Sequence, residues 1–114
     1  TDSAMAEFIQ PLGTAIDSLE SLTDSVLALV KEDPHAVGAA SVEYLNVAGL
    51  TIYAYMWARM AEVALRESQS DEFYAGKLHT ARFYMRRLLP QANALAESVR
   101  AGSSVLMDIP DAAF

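Results

Sequence analysis

VEYLNVAGLTIYAYMWARMAEVAL, residues 42–65, holds few charges and almost no turn-forming residues. Three readings compete for such a run: a membrane span, a cofactor pocket, or the centre of a helical bundle. Placed at 100° per residue, Tyr44, Ala48, Thr51, Tyr55, Arg59, Glu62 and Arg66 fall in one narrow stripe, and most of what lies outside that stripe is apolar. The pattern therefore predicts a helix buried around nearly its whole circumference. A membrane span needs about 20 apolar residues in succession, and Asn46, Arg59 and Glu62 interrupt this run. Met, Tyr and Trp at helical spacing are usually packing residues, so a cofactor box is the weaker reading. A helix this apolar needs partners on at least two flanks, supplied by the rest of the chain and by a surface outside it. Trp57, far from the polar stripe, is expected to be buried.

Outward from this run the chain divides into three helical segments. Pro11 suits the first turn of a helix, where a missing N–H is harmless. From there Leu12, Ile16, Leu19, Leu22, Val26 and Val30 recur at three- and four-residue steps, with Asp17, Glu20 and Asp24 opposite. Residues 4–10 form a preceding turn that either joins this helix or crosses it. Asp33 and Pro34 read as the N-cap and first residue of the second helix, and Gly38 is a candidate interruption. Ser70 reads as the N-cap of the third helix, with Asp71 and Glu72 at its positive end. Its apolar face is Tyr74, Leu78, Ala81, Met85, Leu88, Ala92, Ala96 and Val99. Pro90 should kink it, and Gly102 should cap its C-terminus. The fold class is all-α: an antiparallel up-down bundle of three long helices, with a short extra N-terminal helix as an option.

Composition narrows function. A chain of 114 residues with 53% hydrophobic residues makes one globular domain, residues 1–114. The net charge of −7 and a pI near 4.6 oppose general binding to nucleic acid or to anionic lipid. There is no cysteine, which fits a cytoplasmic location and removes thiolate chemistry. Two histidines, His35 and His79, form no metal-ligand spacing, and no glycine-rich phosphate loop or Gly-x-Ser-x-Gly elbow is present. Glu43 and Glu62 lie nearest the apolar belt without a partner group. No catalytic, cofactor-binding or metal-binding residue is expected on these residues.

One charged feature stands out. Lys77, Arg82, Arg86 and Arg87 are four of the eight Lys and Arg residues, gathered in one short stretch of an acidic chain. They are a candidate docking surface for an acidic partner or a phosphate, with Asp17, Glu20 and Asp24 as candidate internal counter-charges. The alternative is a solvated helix face.

The segment FYAGKLHTARFYMRRLLPQANAL resembles the signature of a known family, the acetyl-CoA dehydrogenase-like C-terminal domain. The subgroup it is most similar to is that of 3-methylmercaptopropionyl-CoA dehydrogenase. The residues carrying the resemblance are Phe73, Tyr74, Lys77, Thr80, Ala81, Arg82, Phe83 and Tyr84, then Leu89 and Pro90. Asp33-Pro34, Tyr44-Leu45, Ala58-Arg59 and the closing IPDAAF fit the same pattern. The resemblance implies a C-terminal piece of a longer enzyme, and the opening Thr1-Asp2-Ser3, without an initiator Met, agrees. The implied parent is a flavoprotein that oxidises an acyl-CoA thioester. A carboxylate base removes the α proton and FAD accepts the hydride, both on upstream domains. The implied partners are those upstream domains of the same chain, the acyl-CoA of the parent, and further copies in a homo-oligomer. A free-standing helical adaptor or chaperone-like protein is the competing reading.

Overall fold

The computed structural model describes residues 3–67 and 71–114. A 3-10 turn at Ser3–Met5 runs directly into α1, Ala6–Val30. Then come α2, Ala36–Arg66, and α3, Glu72–Phe83. A π-helical turn at Tyr84–Leu88 leads to α4, Gln91–Arg100, and a short α5, Ser104–Met107. A last 3-10 turn covers Asp111–Ala113. Among the described residues the molecule is all-helical, without a strand.

Pro11 does not start α1. It lies inside the helix, in the second turn. An interior proline removes one backbone hydrogen bond and crowds the preceding turn. Here the helix continues backward because Met5 and Phe8 are buried together with Leu12, and Phe8 is fully enclosed. The buried face is therefore Met5, Phe8, Leu12 and Leu22, while Ile16 and Val30 are exposed.

Asp33 caps a turn rather than α2 itself. Its Oδ1 accepts the His35 N–H at 2.9 Å, and α2 opens one residue later at Ala36 with His35 as N-cap. Gly38 sits inside α2 without breaking it. Ser70 lies outside the described residues; the cap of α3 is Asp71, which accepts the Phe73 N–H at 2.9 Å. Gly102 follows α4 with φ +74°, the left-handed C-terminal cap that glycine adopts at least cost.

The interruption at Pro90 takes a specific form. Proline cannot donate, and the turn before it widens: the Leu89 N–H reaches back five residues to the Tyr84 carbonyl at 2.9 Å. A π turn holds one more residue than an α turn. The inward face is thereby shifted, so Tyr84 and Leu89 are buried beside Ala81, Met85, Ala96 and Val99, whereas Leu88 is only half-buried.

Two cores are strung along α2. In the first, Met5, Phe8 and Leu12 of α1 meet Ala54, Ala58 and Ala61 of α2 and Ala81, Tyr84, Met85 and Leu89 of the third leg. In the second, Leu22 meets Ala40, Val47, Ala96 and Val99. The start of α1 thus packs on the late part of α2 and the end of α1 on its early part. Alanines on the inner face of α2 let the neighbouring helices approach closely, and Phe8 and Leu22 are the largest fully buried side chains.

This arrangement corrects the reading of α2. Thr51, assigned to the outer stripe, is buried, with its hydroxyl donating to the Val47 carbonyl at 2.9 Å. Val42, Leu45, Ile52, Tyr53, Met56 and Val63, assigned to the interior, are exposed. Trp57 is only half-buried, stacked on Tyr84 with ring centroids 6.4 Å apart. The Cα atoms extend 66 × 28 × 14 Å, with a radius of gyration of 18.5 Å. A compact chain of this length would have a radius near ~13 Å.

Candidate functional site

The basic cluster closes on a residue that the sequence reading passed over. Arg82, in the last turn of α3, grips Glu7 of α1: Nε lies 3.0 Å from both carboxylate oxygens and a terminal nitrogen 2.9 Å from Oε1. Arg86, in the π turn, adds a contact to Oε2 at 3.3 Å. The hydrogen bond from Arg82 is the main reason that the Glu7 carboxyl is held below its ordinary pKa; partial burial works against it. The same bond pushes the Arg82 guanidinium up. Glu7 falls in the first turn of α1, where the helix dipole also favours a negative charge. The Arg82 guanidinium further lies 5.9 Å from the Phe8 ring centroid. Asp17, Glu20 and Asp24, the proposed counter-charges, take no part in the ion pairs found among the described residues.

The remaining basic residues part company. Lys77 sits over two rings, with Nζ 5.3 Å from the Phe73 centroid and 5.9 Å from that of Trp57. Arg87 is exposed. The residues that carry the family resemblance are thus mostly holding the fold together. Ala81 is fully buried. The Tyr84 hydroxyl donates to the Leu50 carbonyl of α2, and burial raises its pKa. The Thr80 hydroxyl donates to the Gly76 carbonyl at 3.0 Å. Leu89 and Pro90 define the widened turn. Phe73 and Phe83 point outward.

Asp33 is the second unforeseen clasp. Its Oδ2 accepts both the Ser103 hydroxyl, at 2.6 Å, and the Ser103 N–H, at 3.3 Å. The Ser103 hydroxyl bond is the leading cause of its lowered pKa, with the His35 N–H next. One carboxylate thereby ties the α1–α2 turn to the exit of α4. Its spacing to Pro34 signalled a cap; nothing local signals a partner 70 residues away.

The largest uncommitted feature is apolar. Val42, Leu45, Ile52, Tyr53, Met56 and Val63 lie on the side of α2 opposite its alanines, between 41% and 70% exposed. At about 1.5 Å per residue this stripe is ~30 Å long. A groove flanks it at each end. One, of about 430 Å³, lies between α2 and the start of α3 and is lined by Met56, Met60, Val63, Phe73 and Tyr74, together with Arg59 and Lys77. The other, of about 490 Å³, lies between α1 and α2, and no charged side chain lines it. His35 and His79 are both exposed, and among the described residues no group of His, Asp or Glu is placed to hold a metal ion. No helix among them is long and apolar enough to cross a membrane.

The exposed area gives this stripe a scale. The molecule presents 7705 Å² for 12.4 kDa. A compact monomer of that mass presents about 6,100 Å². The excess, roughly 1,600 Å², is about twice the ~800 Å² that one partner contributes to a standard protein–protein interface.

Comparison with known families gives one match: the model described as acetyl-CoA dehydrogenase C-terminal like covers residues 1–110. A search among characterised proteins finds no match. With nearly its whole length matched, the chain belongs to the acetyl-CoA dehydrogenase C-terminal-like family.

Proposed function

We propose that this member of the family is the C-terminal helical domain of an FAD-dependent acyl-CoA dehydrogenase, in the subgroup similar to 3-methylmercaptopropionyl-CoA dehydrogenase. Its own work is packing and assembly. The observation that supports this is the uncovered apolar face of α2. Six large apolar side chains stand in water on one side of a helix whose other side is alanine, and such a patch on a folded domain marks an interaction site. Its occupant in this reading is the dehydrogenase body encoded upstream in the same chain. In this reading the three legs form an antiparallel up-down bundle, the parent is a cytoplasmic homo-oligomer, and acyl-CoA and FAD are held by the upstream residues.

The residues present here do not fit a flavin. Its pyrophosphate asks for a cluster of backbone N–H donors at a glycine-rich helix start. Gly13, Gly38, Gly49 and Gly76 all lie inside helices, and Gly102 ends one. Lys77, Arg82, Arg86 and Arg87 do not make a phosphate site together either, because Glu7 engages two of them. In this reading Arg82 and Arg86 join α1 to the third leg, and Lys77 and Arg87 remain for docking.

The test compares two forms of the protein. The chain alone should purify colourless and reduce no electron acceptor with any acyl-CoA. Produced with the residues encoded in frame upstream of Thr1, it should carry a flavin spectrum and oxidise an acyl-CoA. A yellow sample of the chain alone would overturn the reading. So would a start codon immediately upstream, which would favour the free-standing adaptor.

A further inference from the structure

We propose that the groove between α2 and the start of α3 receives residues 105–114 of a second copy of this chain. The segment beyond Ser103 is chemically unfinished. Val105, Leu106, Ile109 and Phe114 are exposed, Phe114 by 90%. They alternate with two acids, Asp108 and Asp111, that are also exposed. The groove is the complement of that pattern. It is lined by the apolar Met56, Met60 and Phe73 together with the cations Arg59 and Lys77. Methionine adapts its shape to varied apolar partners, and aromatic rings anchor them. Lys77 has ring contacts and no carboxylate partner among the described residues. Among the described residues Arg59 makes an exposed pairing to Glu62 at 3.6 Å, donates to the Tyr55 hydroxyl and lies 6.0 Å from the Tyr55 ring centroid. The α1–α2 groove has no such cations to offer the two acids.

Reach decides that the segment comes from another copy. Ser103 is fixed on Asp33, three residues before α2 begins at Ala36. Met60 lies 24 residues further along that helix, about 36 Å away at the rise of an α-helix. Ile109 is six residues from Ser103 and extends at most about 21 Å. Phe114 lies eleven residues from Ser103, but the helical turns at Ser104–Met107 and Asp111–Ala113 shorten that span to about 26 Å, so the groove and the segment sit at opposite ends of α2, too far apart for one chain to bring together. Two copies laid antiparallel place each segment beside the other's groove, and both exchanges close under one twofold axis. This pairing meets the α2 face at Met56 and Val63, which line the groove, while Val42, Leu45, Ile52 and Tyr53 belong to that face alone; its failure would leave the family assignment standing.

The absence of cysteine makes a direct test available. Met60→Cys and Ile109→Cys are introduced together and separately into the full 114-residue chain, which is then mildly oxidised and run without reductant. Both positions are at least partly exposed, so neither change opens a core. The double variant should give a disulfide-linked dimer that neither single variant gives. Adding Lys77→Glu should lower the dimer yield about tenfold, the scale of replacing attraction by repulsion at one contact. Adding Asp108→Lys and Asp111→Lys to that variant should restore it. A disulfide within one chain, no disulfide, or a dimer formed equally by one single variant would overturn the proposal. A second measurement covers a misfolded double variant: a fluorescent peptide of residues 103–114 should bind the chain lacking residues 104–114. The absence of saturable binding would also overturn the proposal.

Discussion

Glu7 and Arg82 carry the clearest consequence at the scale of single residues. Arg82→Gln removes a two-oxygen grip and leaves Glu7 with Arg86 alone at 3.3 Å. Both side chains are partly solvated, so the loss should be about 0.5–1 kcal/mol, read as a lower denaturant midpoint. The stabilisation follows the carboxylate. Glu7 has a lowered folded pKa, so the pair contributes fully above the ordinary glutamic range near ~4.3 and is lost as pH falls through the lower folded value. Wild type and variant should therefore differ at pH 7 and converge as pH falls below the lowered folded value. Asp33 has the same sign. The protection of the Ser103 amide, its exchange rate relative to an unstructured peptide at the same pH, should be high at neutral pH and fall as pH drops below the ordinary aspartic range. An Asp33→Ala variant should show little protection at any pH, and equal protection in both proteins would remove the clasp from the account. Asp33 was legible as a capping residue because aspartate before proline is a local signal. Its bond to Ser103 was not, because a contact across 70 residues leaves no trace in spacing. Glu7 was missed for a physical reason too. Placing the helix start at Pro11 left residues 4–10 outside the helix, and burial of Phe8 overrode the proline.

At the scale of elements, the three legs were legible from their 3.6-residue periodicity, and Pro90 and Gly102 marked real boundaries. The π turn was not foreseen, and it explains the register error on the third leg. One extra residue in the turn carries Tyr84 and Leu89 inward, which a constant 100° per residue cannot reproduce. Pro90→Ala restores a backbone donor, so the turn gains an α-type option. The chain should stay folded, with stability changed by no more than about 1 kcal/mol, and the far-UV helical signal unchanged or raised. A collapsed fold would show that the ring of Pro90 itself holds the Met85–Leu89 packing. The second helix teaches a different lesson. Its apolar residues outside the polar stripe were read as covered, by the rest of the chain or by a surface outside it, and Trp57 was expected to be buried. Hydrophobic periodicity reports that a face leaves water; it does not report whether the same chain covers it. The alanines were the available signal. Small residues on one side of a helix mark close approach within the chain, and large ones on the other side are left for something else.

The whole molecule is elongated, and its radius of gyration and its area both say so. Roughly 1,600 Å² beyond the area of a compact monomer is enough for one standard interface, and the stripe from Val42 to Val63 is its apolar centre. In the proposed reading the uncovered face follows from the domain's place in a larger enzyme, a part of which need not finish its own surface. The central claim is that the dehydrogenase body covers this stripe, and thiol labelling measures it most directly. Leu45→Cys and Ile52→Cys variants, each in the isolated 114-residue chain and in the parent enzyme, are timed against a maleimide reagent. Neither position is in the described cores, and this chain has no other cysteine; any in the upstream residues are replaced first. Both cysteines should react quickly in the isolated chain and at least about tenfold more slowly in the parent, the protection expected of a buried interface. Equal rates in the two forms would contradict the claim.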